Sequence, residues 1–291
     1  MTVASNQLYV VTNEAYLMKL KPKQIILDSS LQIPFGVGKC VAVFPKLKLI
    51  VVTSPSGDAF HTFSIESTSL FHIFSFRQQF SSLNSLTNAG KSMLVVLSQD
   101  GSLTVWDFSP SSNSFNDPLY KVNHHLVSAV DATASEDLRL VVSCDISRRI
   151  VLTELYEGTF IRSFYLPDES SVPVKVMILD AGYIVSFCEH RSHNDIRSTI
   201  HINALDSDTL GIYDHPRRVT SCCPINLHSG MSFIAVGFED GSFFILATPD
   251  ANAVHTTLFP SPVIAISYQK GENLLFLANS ERQIFSLVLD L

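Results

Sequence analysis

The stretch Ser92-Met-Leu-Val-Val-Leu-Ser98, Gln99-Asp100-Gly101, Ser102-Leu-Thr-Val-Trp106-Asp107-Phe108 decides the fold. Two apolar runs of strand length flank an Asp-Gly pair, and such side chains suit a pleated, half-buried surface. Asp and Gly both tolerate positive φ, so the pair predicts a type I′ hairpin turn. The same phrase returns as Met231-Ser-Phe-Ile-Ala-Val-Gly-Phe238, Glu239-Asp240-Gly241 and Ser242-Phe-Phe-Ile-Leu246. Weaker copies surround Gly57, Asp145-Ile-Ser147 and Ser280-Glu281.

Taking Gly57, Gly101, Ser147, Gly241 and Glu281 as equivalent gives successive steps of 44, 46, 94 and 40 residues. The long step hides one further unit, whose hairpin uses 183–188 and 198–205. Apolar runs ending at Gly, Asp, Asn, Ser or Pro are short strands joined by tight turns. A period of 40–47 residues with about four strands each is that of a propeller blade. The expected fold is all-β, a seven-bladed β-propeller in a single domain over 1–291. Its blades fall at about 1–36, 37–78, 79–123, 124–167, 168–215, 216–259 and 260–291. The first and last units each read as one strand short. Either the two ends share a blade or the first strand lies upstream, because an unpaired edge strand is an aggregation template.

The 291 residues are 46% hydrophobic and 16% charged, with 20 Phe, which is ample core material and excludes a disordered chain. The net charge of −7 and scattered Lys and Arg argue against a general nucleic-acid or anionic-membrane binder. The five cysteines, Cys40, Cys144, Cys188, Cys222 and Cys223, are odd in number and mostly lie in strand-like runs. Packed thiols in a reducing compartment are therefore expected. No apolar run approaches the ~20 residues of a membrane helix, and the N-terminal residues lack the pattern of a signal peptide.

Asp100-Gly-Ser-Leu-Thr-Val-Trp106-Asp107 resembles the end of a WD40 repeat. It holds the only Trp, and most other units carry Leu, Thr or Phe there. A narrower resemblance covers 126–211. Leu138-Arg-Leu-Val-Val-Ser-Cys144-Asp145, then Gly158-Thr-Phe160-Ile-Arg162, then Gly182-Tyr-Ile-Val185 is similar to the C-terminal propeller of BEACH-domain proteins, of the neurobeachin and beige kind. That resemblance implies a propeller acting as a scaffold in membrane and vesicle traffic. The helical BEACH domain has no counterpart in these 291 residues, so the resemblance implies a truncated product or a stand-alone relative.

WD-type repeats resemble one another in a buried His, Asp, Ser or Thr, and Trp network. His125 before a strand and Asp145 in the following turn suit such a network, as do His215 and Asp240. The structural turn residues are then Asp100, Gly101, Trp106, Asp107, Asp145, Asp240 and Gly241. Cys188, His190 and His193 lie in a polar hairpin loop, lack a paired C-x-x-C, and are not expected to hold metal. Cys222 and Cys223 are adjacent in a strand and point to opposite faces.

No G-x-S-x-G, H-E-x-x-H or Gly-rich phosphate loop is present. The innermost strands read Cys40-Val-Ala-Val, Ser128-Ala-Val-Asp131, Val174-Lys-Val-Met and Val263-Ile-Ala-Ile-Ser, with few metal ligands near an axis. No catalytic residue, metal or cofactor is expected. The expected function is non-catalytic binding of other proteins through a loop face bearing His124, His125, Arg148, Arg149, His193, Arg217 and Arg218. Reversing Arg217 and Arg218 together is expected to weaken a partner without lowering stability. The alternatives are a WD-repeat subunit of a ubiquitin ligase, coat or nuclear-pore assembly, and, third, a propeller hydrolase. No nucleic acid is expected as a partner, and no direct membrane insertion. The expected place is the cytoplasm, or the periphery of endomembranes through a larger parent protein or complex.

Overall fold

At Asp100-Gly101 the backbone departs from the expected type I′ turn. Gly101 alone carries the positive φ (88°), and its N–H donates to the Ser98 carbonyl at 3.0 Å. This is a type I turn closed by a left-handed glycine. Asp100 Oδ1 accepts the Ser102 N–H at 3.0 Å, the local bond that lets Asp start such a turn. The second copy repeats it. Gly241 has φ 86° and bonds Phe238, and Asp240 Oδ1 accepts the Ser242 N–H at 2.9 Å.

Gly57 (φ 73°) holds the same position in the second blade, but in the fourth and seventh the left-handed residue falls one place later than the expected equivalence. Arg148 (φ 72°) and Arg282 (φ 66°) occupy it, not Ser147 and Glu281. A Cβ on Gly241 would lie 2.3 Å from the Phe259 carbonyl oxygen. Gly241→Ala is therefore expected to cost about 2–3 kcal/mol, from strain at positive φ plus a backbone clash. A denaturant midpoint unchanged from wild type would show that the turn relaxes freely.

The structure, a computed structural model, describes residues 1–4, 7–21, 25–44, 46–65, 69–77, 81–109, 112, 114–192, 195–227 and 229–289. Seven antiparallel sheets follow one another, each a meander in chain order. The first is β1 (Thr2–Ala4), β2 (Gln7–Val11), β3 (Tyr16–Lys21) and β4 (Ile26–Gln32). The second is β5 (Val41–Phe44), β6 (Leu49–Thr53), β7 (Ala59–Ile65) and β8 (Leu70–Arg77). The third is β9 (Leu83–Ala89), β10 (Met93–Ser98), β11 (Ser102–Ser109) and β12 (Ser114–Asn123). The fourth is β13 (Ala129–Ser135), β14 (Leu140–Asp145), β15 (Arg149–Glu154) and β16 (Phe160–Tyr165). The fifth is β17 (Ser171–Ile178), β18 (Ile184–Ser192), β19 (Asp195–Asn203) and β20 (Thr209–His215). The sixth is β21 (Val219–Asn226), β22 (Ser232–Phe238), β23 (Ser242–Ala247) and β24 (Ala253–Leu258). The seventh is β25 (Val263–Gln269), β26 (Leu274–Asn279) and β27 (Ile284–Val288).

Two expectations change here. The first sheet has four strands, because the three-residue β1 supplies the one that seemed missing. Three residues are too few to display an alternation, so the strand was invisible in the sequence. Cys188 and His190, expected in a hairpin loop, lie within β18, which reaches Ser192, and β19 begins at Asp195.

The chain divides into two compact units, Ala4–Leu166 and Met1–Val3 with Pro167–Leu291. In the first, Trp106 packs among Phe60, Phe74 and Phe76, with ring centroids 5.1–6.1 Å apart. Trp106 Nε1 has no hydrogen-bond partner among the described residues, so this Trp acts through packing. In the second unit, Phe187, Ile200, Ile234 and Phe238 share one core and Phe243, Ile245, Leu275 and Leu277 another.

Small polar residues on the leading strands bind the next sheet. Asn84 and Ser85 donate to the carbonyls of Ala129 (2.6 Å) and Ala132 (3.1 Å). Thr220 and Ser221 both donate to the Val263 carbonyl, at 2.6 and 2.5 Å. These bonds give carbonyls of the neighbouring sheet a side-chain donor.

Candidate functional site

The loop leading into β13 and the β14–β15 turn are fastened by a buried network. His125 Nδ1 lies 2.8 Å from Asp145 Oδ2, and Nε2 lies 2.8 Å from Ser143 Oγ. His125 is 6% and Asp145 1% exposed. Asp145 Oδ1 also accepts bonds from the Ser147 N–H and hydroxyl and from the Arg149 N–H. Burial alone would push the Asp145 carboxyl up. The bonds from His125 and Ser147, the His125 charge and the Arg149 N–H outweigh it and hold the pKa below the usual carboxylate value.

What this network holds up is apolar and exposed. Leu126 is 92% exposed, Ile146 51% and Val127 38%. The Ile146 N–H donates to the Ser128 carbonyl at 3.0 Å, which seats the turn against the loop. The neighbouring cations are tied inward. Arg149 donates to the His124 carbonyl (2.7 Å) and Ser163 Oγ (3.0 Å), and Arg148 donates to the Leu166 carbonyl. His124 Nε2 lies 3.0 Å from the Gly158 carbonyl. The candidate anchors on this face are thus the apolar side chains, which the sequence reading passed over. The signal was there: Leu126-Val127 is an apolar pair inside a turn segment.

The other expected residues fall elsewhere. His215 does not meet Asp240 directly. Ser242 Oγ stands between them, 3.3 Å from His215 Nε2 and donating to Asp240 Oδ1. Asp240 is exposed, and His215 stacks on Phe238 with centroids 3.7 Å apart. Asp107 accepts from Ser92 Oγ at 2.6 Å. His193 lies outside the described residues.

Arg218 Nε donates to Glu189 Oε1 at 2.6 Å, and the Glu189 side chain is only 2% exposed. The expectation that reversing Arg217 and Arg218 would leave stability untouched therefore fails for Arg218, which neutralises a buried carboxylate across two sheets. Among the described residues no three His, Cys, Asp or Glu are grouped to hold a metal ion. Burial pushes the Cys188 thiol up to about 12, so it is inert as a thiolate.

The fifth sheet carries a second candidate, a cleft of about 850 Å³ lined in part by Asp168, His190, Arg197, Thr199, His201 and Asp214. Strand register builds it: Thr199 pairs with Asp214, His201 with Ile212, and His190 with Arg197. Thr199 Oγ1 donates to Asp214 Oδ1 (2.6 Å) and lies 2.7 Å from His190 Nε2. Ser170 Oγ lies 3.0 Å from His190 Nδ1, and His190 Nε2 lies 3.2 Å from Asp168 Oδ2. This has the members of a hydrolytic triad without its logic. Ser170 Oγ donates to Asp168 Oδ1 at 2.8 Å, so its proton is committed to the carboxylate and not to the imidazole that would have to take it.

Among solved structures, the chain is similar to U3-55K, with a TM-score of 0.73 at 11% identity over 94% of this chain and 85% of that one. It is equally similar to the RRP9 WD40 repeats, at 0.73 and 11% over 94% and 84%. The computationally designed Ika8 protein matches at 0.70 and 13% over 99% and 82%. These likenesses establish the fold, a WD40-type seven-bladed β-propeller. No protein-family model and no curated protein sequence matches the chain. No helix among the described residues is long and apolar enough to cross a membrane.

Proposed function

We propose that the chain is a non-catalytic protein-interaction scaffold that engages its partner through the loop face of its fourth blade. The observation that carries this reading is the exposure of Leu126, Val127 and Ile146 on loops locked by a buried His–Asp pair. An apolar side chain exposed to this degree is ordinary when single, but three on one fixed edge favour a partner surface. A rigid scaffold loses little entropy on binding, which is what a small anchor cluster needs.

The narrower reading is a BEACH-type propeller in membrane or vesicle traffic, supported by the resemblance over 126–211. The alternative is a WD-repeat subunit of another assembly, which the fold supports equally. An upstream BEACH-encoding reading frame would decide for the first. For the face itself, Leu126→Asp combined with Ile146→Asp should abolish capture of the proteins that wild type retains, by tenfold or more, at unchanged melting temperature. Undiminished capture by the double variant would place the interface elsewhere.

A further inference from the structure

The cleft on the fifth blade contains a buried group with nothing to bond. His201 is 2% exposed and lines the cleft, and neither ring nitrogen has a hydrogen-bond partner among the described residues. A buried polar group in that state costs stability unless something else satisfies it. Around it stand two carboxylates, Asp168 and Asp214. Thr199 donates to one oxygen of Asp214, which lines the cleft. Burial holds the His201 pKa below its ordinary value, against the pull of both carboxylates, so near neutral pH the ring is uncharged and offers an acceptor nitrogen.

Among the described residues, the lining thus brings together an acceptor, two carboxylates, of which Asp214 is exposed, and one guanidinium, Arg197, also exposed. A volume of this size takes a side chain with part of its backbone. We infer that the cleft binds an arginine side chain presented by a peptide, with its guanidinium between Asp214 and His201 and the adjoining backbone carbonyls toward Arg197. A planar fork with five N–H donors can reach a carboxylate and an imidazole nitrogen together, whereas an ammonium is a point charge. Arg197 disfavours a ligand that carries a second cation at its outer end.

The site shares no residue with the fourth-blade face, so either proposal can fail without the other. The test uses the full chain with ¹³C-labelled histidine and capped Gly-Arg-Gly peptide as the probe. Saturable movement of the His201 ring resonance is expected. The citrulline peptide, which lacks the charge, should bind at least about tenfold more weakly. The lysine peptide and agmatine should bind at least about threefold more weakly. Asp214→Asn should remove the shift, while Asp180→Asn, at an exposed aspartate outside the cleft lining, should not. No saturable shift at roughly ten millimolar peptide, the weak end of binding by so few atoms, would overturn the proposal. So would equal affinity for citrulline, lysine or agmatine. The peptide series needs no variant, so it stands even if Asp214→Asn does not fold.

Discussion

Asp145→Ala is expected to lower unfolding stability by about 3–5 kcal/mol, the cost of removing one member of a buried charged network. The carboxylate is 1% exposed and accepts from His125, Ser147 and Arg149. Its loss strands the His125 imidazole in the interior and removes bonds to the half-buried Ser147 and Arg149. Asp240→Ala, at the equivalent turn of the sixth blade, should cost no more than about 1 kcal/mol, because Asp240 is exposed and water replaces its bonds.

The pH dependence follows from the same carboxylate. Its folded pKa is depressed, so its stabilisation is present above the unfolded value of about 3.9 and is lost as pH falls through the folded value. Wild type should therefore lose stability more steeply than Asp145→Ala below about pH 4. Denaturant unfolding at pH 7 and at acid pH measures both effects. Equal midpoints for wild type and Asp145→Ala would remove the network from the account.

Arg218→Glu should cost about 2–4 kcal/mol, set by the cost of breaking a buried pair and reduced because Arg218 is half exposed. The reversal puts two carboxylates together where Glu189 is almost wholly covered. Glu189→Gln in the Arg218→Glu background should restore most of the loss, since it removes the repulsion without changing shape. Additive losses in the double variant would mean that the two residues do not act as a pair.

The repeat was legible because turn chemistry is local. Asp-Gly pairs and apolar runs report their own geometry, and their spacing carries the blade count. The left-handed residues at Arg148 and Arg282 were not legible, because an L-residue is placed there by the surrounding hydrogen bonds and not by its own preference. His125 and Asp145 could be paired from sequence, since one precedes and the other ends the β13–β14 hairpin. The same spacing misled at His215, where Ser242 intercepts the bond to Asp240. The fifth-blade cleft was out of reach. Asp168, His190, Thr199, His201 and Asp214 come from a loop and three strands and meet only through strand register.

The most direct test of the central claim is parallel affinity capture on wild type and the Leu126→Asp, Ile146→Asp double variant, each with its melting curve. Superimposable melting is predicted, with loss by the double variant of a discrete set of proteins that wild type retains. Identical captured sets at identical stability would contradict it.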